Sequence, residues 1–125
     1  MKALTVKQPW AWAIVFGGKD IENRSWVTHY RGELAIHAGA RMHDYAEMPR
    51  GVRAPEEDEL AFSAIIGIAE LIDCVETSRS KWFGGPCGLV LAKPRALKTP
   101  VPCKGALGLW NVPPEVERLV RRRMR

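Results

Sequence analysis

The sequence is poor in cysteine, with only Cys74, Cys87 and Cys103 among its 125 residues. Their odd number and wide spacing, with no Cys-x-x-Cys pair, exclude a disulfide framework and a structural zinc site of the usual kind. The three histidines also lack metal-ligand spacing, both among themselves and relative to the cysteines. We therefore expect reduced thiols in a cytoplasmic protein that holds neither a metal nor another cofactor.

Long apolar runs and nucleotide-loop signatures are also missing. No apolar run reaches the ~18 residues that suggest a membrane span, and the first residues lack the pattern of a signal peptide. There is no P-loop and no Gly-x-Gly-x-x-Gly fingerprint, and the glycine pair Gly84-Gly85 precedes a proline rather than a helix. A Ser/His/Asp set is also missing. The hydrophobic content of 46% is enough for one buried core, so we expect a single domain over residues 1–125.

The excess of positive charge is small and unevenly placed. The formal charge is +5, from 19 lysines and arginines against 14 acidic residues, and the segment 114–125 supplies +3 of it. We predict an arginine-rich helix over 114–125, with Arg118, Arg121, Arg122 and Arg125 along one side. This helix is either a frayed, solvated terminus or a non-specific clamp for phosphates.

The hydrophobic pattern predicts more strands than helices. Expected strands cover 2–7, 20–26, 33–37, 64–75, 87–92 and 107–112, and expected helices cover 10–16 and 40–48. Residues 94–102 contain prolines and are predicted to be irregular or edge-like. The fold class is therefore α+β, a small and mostly antiparallel β-barrel with flanking helices.

One charged segment follows the first helix directly. Lys19 stands at the mouth of the Gly17-Gly18 turn, and the strand period places Glu22, Arg24 and Trp26 on one face together with Asp20. Arginine can grip a phosphate or a base edge, and tryptophan offers a plane for stacking. The alternative is a solvated edge strand with ordinary ion pairs.

Three further polar residues are candidates for the same cleft. Glu70 is the only charge between Ala64 and Ile72, so it either forms an ion pair, with Arg24 or Arg31, or serves as a cleft carboxylate. Gln8 precedes the first helix and has no apolar role. His37 continues an alternating strand and is either structural or a ligand contact.

Together these motifs resemble the ASCH domain family, a branch of the PUA-like superfamily. The similar stretches, in the order of the family, are Leu4 to Ala11, Gly18 to Trp26, Tyr30 to His37, Gly67 to Asp73, and Lys104-Gly105 followed by Trp110. The resemblance implies a PUA-like β-barrel with a cleft beside the first helix. It also implies RNA-related ligands.

The resemblance further implies two kinds of activity. Some small ASCH proteins remove the acetyl group from acetylated cytidine with a lysine, a threonine three residues later and a glutamate on a central strand. Lys19 and Glu70 match the lysine and the glutamate, whereas the threonine position falls on Glu22. Coactivator-type ASCH domains are known mainly for nucleic-acid binding, and other members are reported as ribonucleases.

The main prediction is a domain that binds RNA or a nucleotide-like ligand. The residues expected to contact that ligand are Gln8, Trp10, Lys19, Glu22, Arg24, Ser25, Trp26 and His37. The alternative is an amidohydrolase acting on a modified nucleoside, with Lys19, Glu22 and Glu70 as catalytic residues, or a ribonuclease.

Overall fold

The computed structural model describes residues 1–124. The elements in chain order are β1 (Lys2–Gln8), α1 (Trp10–Phe16), β2 (Ile21–Arg24), β3 (Gly32–Met42), a 3-10 turn (Glu57–Glu59), β4 (Ala64–Val75), β5 (Cys87–Pro102), β6 (Leu109–Asn111) and α2 (Pro114–Arg122). No helix in this part of the chain is long and apolar enough to cross a membrane.

The strands form one mixed sheet in the order β2-β5-β4-β3-β1-β6. Among the described strands only the β1–β3 pair is parallel, so the α+β class with a mostly antiparallel sheet is confirmed. Within the described chain the sheet is open, with β2 and β6 as its edges, rather than the closed barrel we expected. Both edge strands are short, since β2 has four residues and β6 has three.

A side chain bridges part of the gap that these short edges leave. Residues Lys2–Leu4 of β1 pair with β6, and beyond them the guanidinium of Arg24 on β2 donates to the carbonyl oxygen of Thr5 over 2.8 Å. The sheet is therefore curled enough to bring β2 next to β1. The candidate site lies at this gap.

Helix α1 packs on the sheet through its apolar side chains. Ala11, Ala13 and Ile14 are almost fully buried, and they pack with apolar residues of β1, β3, β4 and β5 in the core, whereas Phe16 at the end of the helix is exposed. Gly18 supplies the left-handed conformation that turns the chain into β2, with φ +81°. The predicted buried helix with a glycine stop is thus largely confirmed.

The predicted helix over 40–48 is wrong. Strand β3 continues to Met42, which pairs with Gln8, and the next residue, His43, donates its main-chain N–H to the Gln8 carbonyl over 2.6 Å. Strand β3 pairs with β1 on one side and β4 on the other, and this tertiary pairing overrides the local helical pattern.

The segment 94–102 is strand rather than irregular chain, because β5 runs on to Pro102. Its edge-like character is nevertheless real. Strand β2 pairs only with Cys87–Val90, so β4 is the one described strand beside the proline-containing half of β5, and an isolated bridge joins Leu97 to Met124 on its other side. Proline, which has no main-chain N–H to donate, is tolerated on such an edge.

The C-terminal helix is docked rather than frayed. Val120 is fully buried, and Arg121 forms a forked pair with Glu33 at 2.7 and 2.9 Å. The helix ends at Arg122, Met124 forms an isolated bridge with Leu97, and Arg125 lies outside the described residues. The predicted arginine-rich face is therefore partly used in holding α2 to the sheet.

Candidate functional site

A cavity of about 680 Å³ opens where β1, β2 and the start of α1 meet. Charged and aromatic side chains line much of its wall, namely Lys7, Lys19, Arg24, Lys81, Glu22, Glu47, Trp10, Trp82 and His43. Four cations thus stand against two carboxylates. This local excess of positive charge, rather than the modest net charge of the chain, suits an anionic ligand.

Lys19 is held at the inner wall by the turn that follows α1. Its main-chain N–H donates to the Ala13 carbonyl over 2.9 Å, and its ammonium donates to the carbonyl of Ile21. The side chain is only 3% exposed. Its nitrogen lies 5.5 Å from the ring centre of Trp10 and 5.7 Å from that of Trp82, within the range of cation–π attraction.

Glu22 joins the two innermost cations. One carboxylate oxygen lies 3.4 Å from the Lys19 nitrogen, and the other accepts a hydrogen bond from Arg24 Nε over 3.0 Å. Burial lowers the pKa of Lys19 below its usual value of 10.5, and the charge of Arg24 lowers it further, while Glu22 acts in the opposite direction. Glu22 therefore fixes both cations in place and partly offsets the cost of burying Lys19.

A hydrogen-bond chain supports the β1 wall of the cavity. Trp110 Nε1 donates to Thr5 Oγ1 over 3.1 Å, and the hydroxyl lies 3.2 Å from His37 Nδ1. On the other side of the ring, His37 Nε2 lies 2.8 Å from the Cys103 carbonyl, so this nitrogen carries the proton and Nδ1 accepts. Burial lowers the pKa of His37, and the bond to Cys103 acts against this shift.

Two predicted ligand contacts, His37 and Gln8, do not line the cavity and are held by structural hydrogen bonds. His37 is occupied by the chain just described and does not line the cavity. Gln8 is 1% exposed, donates to the Ala61 carbonyl over 2.9 Å and accepts from the Trp12 N–H over 2.8 Å. Its amide therefore fixes the start of α1.

The other predicted residues divide between the cavity and its surroundings. Trp10, Lys19, Glu22, Arg24 and Ser25 line the cavity together. Trp26, one residue after Ser25, packs partly on the core and lines a neighbouring cavity instead.

Glu70 does not lie at this site. Its side chain is 36% exposed and its carboxylate is 4.0 Å from the ammonium of Lys93, on β5. This ion-pair partner differs from both predicted partners, Arg24 and Arg31. Strand β4 keeps a regular register with β3 from Gly67 to Leu71, and its irregularity lies earlier, between Ile65 and Gly67. A single strand period from Ile66 through Glu70 therefore does not describe which way Glu70 faces.

Several residues of the cavity wall are not among the predicted contacts, Trp82 and His43 above all. Trp82 is buried under Lys19 because Asn23 holds its loop: Asn23 Nδ2 donates to the Trp82 carbonyl over 2.9 Å and its Oδ1 accepts from Gly84 N–H over 2.8 Å. His43 accepts from Trp10 Nε1 over 3.1 Å. The aromatic, glycine-rich run around Trp82 signals a structured turn, but only the pairing of β2 with β5 brings it to Lys19.

The described residues contain no group of three His, Cys, Asp or Glu side chains placed to hold a metal ion. The side chains that line the cavity include ammonium, guanidinium, carboxylate and aromatic groups. These groups can bind a phosphate, stack on a base and move a proton.

A family model of the ASCH domain matches residues 4–97, which include most of β1, all of α1, β2, β3 and β4, and the first part of β5. The chain belongs to the ASCH domain family. Lys19, Glu22 and Arg24 all lie within the matched region. The family resemblance carried by the sequence motifs is thus confirmed.

Two curated relatives of this ASCH domain are similar over most of its length. Activating signal cointegrator 1 of Homo sapiens is 28% identical over 126 residues, covering 87% of this chain and 22% of that protein. Activating signal cointegrator 1 of Mus musculus is 25% identical over 126 residues, again covering 87% of this chain and 22% of that protein. The chain therefore spans only 22% of the length of these relatives.

Solved structures share the ASCH fold at low sequence identity. The crystal structure of ASCH from Zymomonas mobilis superposes with a TM-score of 0.61 at 15% identity, covering 99% of this chain and 95% of the other. A mutant of the same protein gives a TM-score of 0.62, again at 15% identity, covering 99% of this chain and 98% of the other. This likeness establishes the fold of the chain.

Proposed function

We propose that this ASCH domain binds single-stranded RNA and holds one nucleotide in the cavity between β1 and β2. The observation that carries the proposal is the meeting of Lys19, Glu22 and Arg24 with two tryptophan rings in one cavity. Aromatic rings stack on unpaired bases, and arginine and lysine bind phosphate oxygens. A base must leave its stack to enter such a cavity, which favours a single strand over a duplex.

The two inner cations are already oriented before a ligand arrives. Glu22 binds both of them, and the Thr5 carbonyl takes one further N–H of Arg24. A side chain that is fixed beforehand loses less conformational entropy on binding. The preorganised Glu22 network supports a binding role for the cavity.

The outer cations allow a test that spares this network. Lys81 is exposed at the cavity wall, and Lys98 is also exposed but does not line this cavity. We expect Lys81→Glu to weaken binding of a fluorescent single-stranded RNA by about tenfold at low salt, because it reverses a charge near the phosphates. Lys98→Glu is the matched control and should change the affinity by less than about threefold.

The test is a fluorescence-anisotropy titration repeated at rising salt. The affinity of the wild type should fall steeply with salt, and the Lys81→Glu variant should show a shallower slope. Equal affinities of the two variants, or no binding of single-stranded RNA at low salt, would overturn the proposal.

A second candidate is hydrolysis of a modified nucleoside such as acetylated cytidine. The specific observation in its favour is the buried Lys19, whose pKa is lowered by burial and which lies 3.4 Å from a carboxylate at the cavity wall. In this candidate mechanism the carboxylate that exchanges a proton with Lys19 is Glu22 rather than Glu70, which does not line the cavity.

Incubation with acetylated cytidine tests the second candidate. If it is correct, wild type releases acetate and cytidine, Lys19→Met abolishes release, and Glu70→Gln leaves it unchanged. A wild type that gives no product at any pH between about 6 and 9 would contradict this candidate. A parallel incubation with a labelled RNA strand tests the ribonuclease alternative, which predicts that the strand is cleaved to shorter products.

The cytoplasmic location expected from the sequence also belongs to this proposal. Cys74, Cys87 and Cys103 are all free thiols. Free cysteines are typical of proteins in a reducing compartment.

A further inference from the structure

A second cavity adjoins the first on the far side of Arg24. It has a volume of about 500 Å³, and it shares Arg24, Leu107 and Gly108 with the first cavity. Its own wall is formed by Trp26 and Val27, with Thr28 and Leu109 beside them. The two cavities are thus consecutive chambers of one groove, with a guanidinium at the point where they join.

Arg24 has a donor to spare at this junction. Its Nε is bound to Glu22 and its Nη2 to the Thr5 carbonyl, and Nη1 has no hydrogen-bond partner among residues 1–124. The side chain is 23% exposed, so a ligand in the groove can reach it. A fixed guanidinium with a free edge is well suited to a phosphate group.

The second cavity offers an apolar surface for a base. Trp26 is half-buried against the core, which fixes its ring, whereas Val27 is 61% exposed and Leu107 is 97% exposed. Exposed apolar side chains beside a half-buried tryptophan form a platform of the kind on which unpaired bases stack.

We propose that the groove takes a dinucleotide step of a single RNA strand rather than an isolated nucleotide. One base lies in the first cavity, the phosphodiester lies at Arg24, and the neighbouring base lies against Trp26 and Val27. This inference rests on the proposed RNA binding and adds the length and chain character of the ligand. It makes the segment from Arg24 to Val27 a second binding site.

Affinities of mononucleotides and dinucleotides test the proposal directly. Using calorimetry with the full chain, we expect a dinucleotide to bind at least about fivefold more tightly than either of its mononucleotides, because a second base stacks. A dinucleotide with a neutral methylphosphonate linkage should bind more weakly than the charged dinucleotide, because Arg24 then faces no charge. Equal affinity of the charged and neutral linkages would overturn the place given to the phosphodiester.

Two substitutions of an exposed apolar residue by glutamate distinguish the second cavity from the rest of the surface. Val27→Glu should abolish the gain of the dinucleotide and leave mononucleotide affinity within about twofold, because Val27 lines only the second cavity. Ile72→Glu, at a position that is 52% exposed and lines neither cavity, should leave both affinities unchanged.

The outcomes distinguish this inference from the proposed function. Mononucleotides that bind as tightly as dinucleotides would overturn the second site and leave RNA binding in the first cavity intact. A Val27→Glu variant that keeps the full gain of the dinucleotide would overturn the second site in the same way. No binding of mononucleotides, dinucleotides or longer strands would overturn the proposed function, and the inference with it.

Discussion

The guanidinium of Arg24 donates to the main-chain carbonyl of Thr5 over 2.8 Å, and this bond joins strand β2 to strand β1 across the open side of the sheet. The same guanidinium donates to Glu22, which also lies 3.4 Å from the Lys19 ammonium. One side chain thus links the curl of the sheet to the charged wall of the cavity. The stability of the fold and the geometry of the site depend on the same few contacts.

Removing the charge of Glu22 should destabilise the protein. Glu22→Gln leaves the buried Lys19 and the partly buried Arg24 without their shared counter-ion, which we expect to cost about 3 kcal/mol of unfolding free energy. Urea denaturation at neutral pH measures this change. Glu57→Gln, in the exposed 3-10 turn, is the control and should shift stability by less than about 0.5 kcal/mol. Equal stabilities of the two variants would contradict the structural role of Glu22.

The charge of Lys19 should give RNA binding an unusual pH dependence. Because burial lowers the pKa of Lys19, this cation is lost at a lower pH than an exposed lysine, and affinity for an anion falls as the pH rises through that lowered value. In the Lys19→Arg variant the guanidinium keeps its positive charge throughout the neutral and alkaline range. Anisotropy titrations between about pH 7 and pH 9.5 should show a falling affinity for wild type and a flatter profile for Lys19→Arg. Parallel profiles would refute this prediction.

The buried His37 should make the fold sensitive to mild acid. Its folded-state pKa is lowered from 6.5, so the unfolded chain binds the proton more readily, and stability is lost as the pH falls through 6.5 toward the folded-state value. Protonation also removes the Nδ1 acceptor beside the Thr5 hydroxyl.

Urea denaturation at pH 7.5 and 5.5 measures the His37 effect. We expect wild type to lose about 1 kcal/mol between the two values, in a range above the titration of most carboxylates. His37→Gln should be less stable at pH 7.5 but lose less on acidification. His29 and His43 are present in both proteins, so the difference in slope isolates His37. If both proteins lost the same unfolding free energy between pH 7.5 and pH 5.5, the acid sensitivity would come from groups other than His37.

Gly105 should tolerate no side chain, because it packs against the chain of hydrogen bonds behind the cavity. A Cβ atom at this position would lie 2.5 Å from Thr5 Oγ1 and 2.7 Å from His37 Cε1. Gly105→Ala should therefore cost about 1–3 kcal/mol. At Gly84 the nearest atom would lie 3.7 Å away, so Gly84→Ala is a matched control expected to stay within about 0.5 kcal/mol. Thermal or urea unfolding of both variants measures the difference, and equal stabilities would contradict the tight packing at Gly105.

Local sequence patterns predicted those parts of the site that follow one another in the chain. The glycine turn, Lys19 and the alternation of Glu22 with Arg24 are encoded within a few residues, and the structure brings these side chains to one cavity. The predicted alternation does not extend to Trp26, because β2 ends at Arg24 and Trp26 lines the neighbouring cavity.

Tertiary pairing determined the parts that local patterns missed. Trp82 and His43 reach the cavity only through the pairing of β2 with β5 and of β3 with β1, which no local spacing reveals. Glu70 likewise pairs with Ala92 of β5, and its carboxylate lies near Lys93 rather than at the cleft. Sheet closure also depends on how far the edge strands extend, and the hydrophobic pattern does not specify these lengths.

The most direct measurement of the central claim is an NMR titration of the tryptophan indole N–H groups with a short single-stranded RNA. Trp10 lines the cavity and donates its indole N–H to His43, whereas Trp12 on the same helix borders a different groove. We predict that the Trp10 indole resonance shifts in a saturable manner while the Trp12 indole resonance does not move. A saturating RNA that shifts Trp12 and leaves Trp10 unchanged would contradict RNA binding in this cavity.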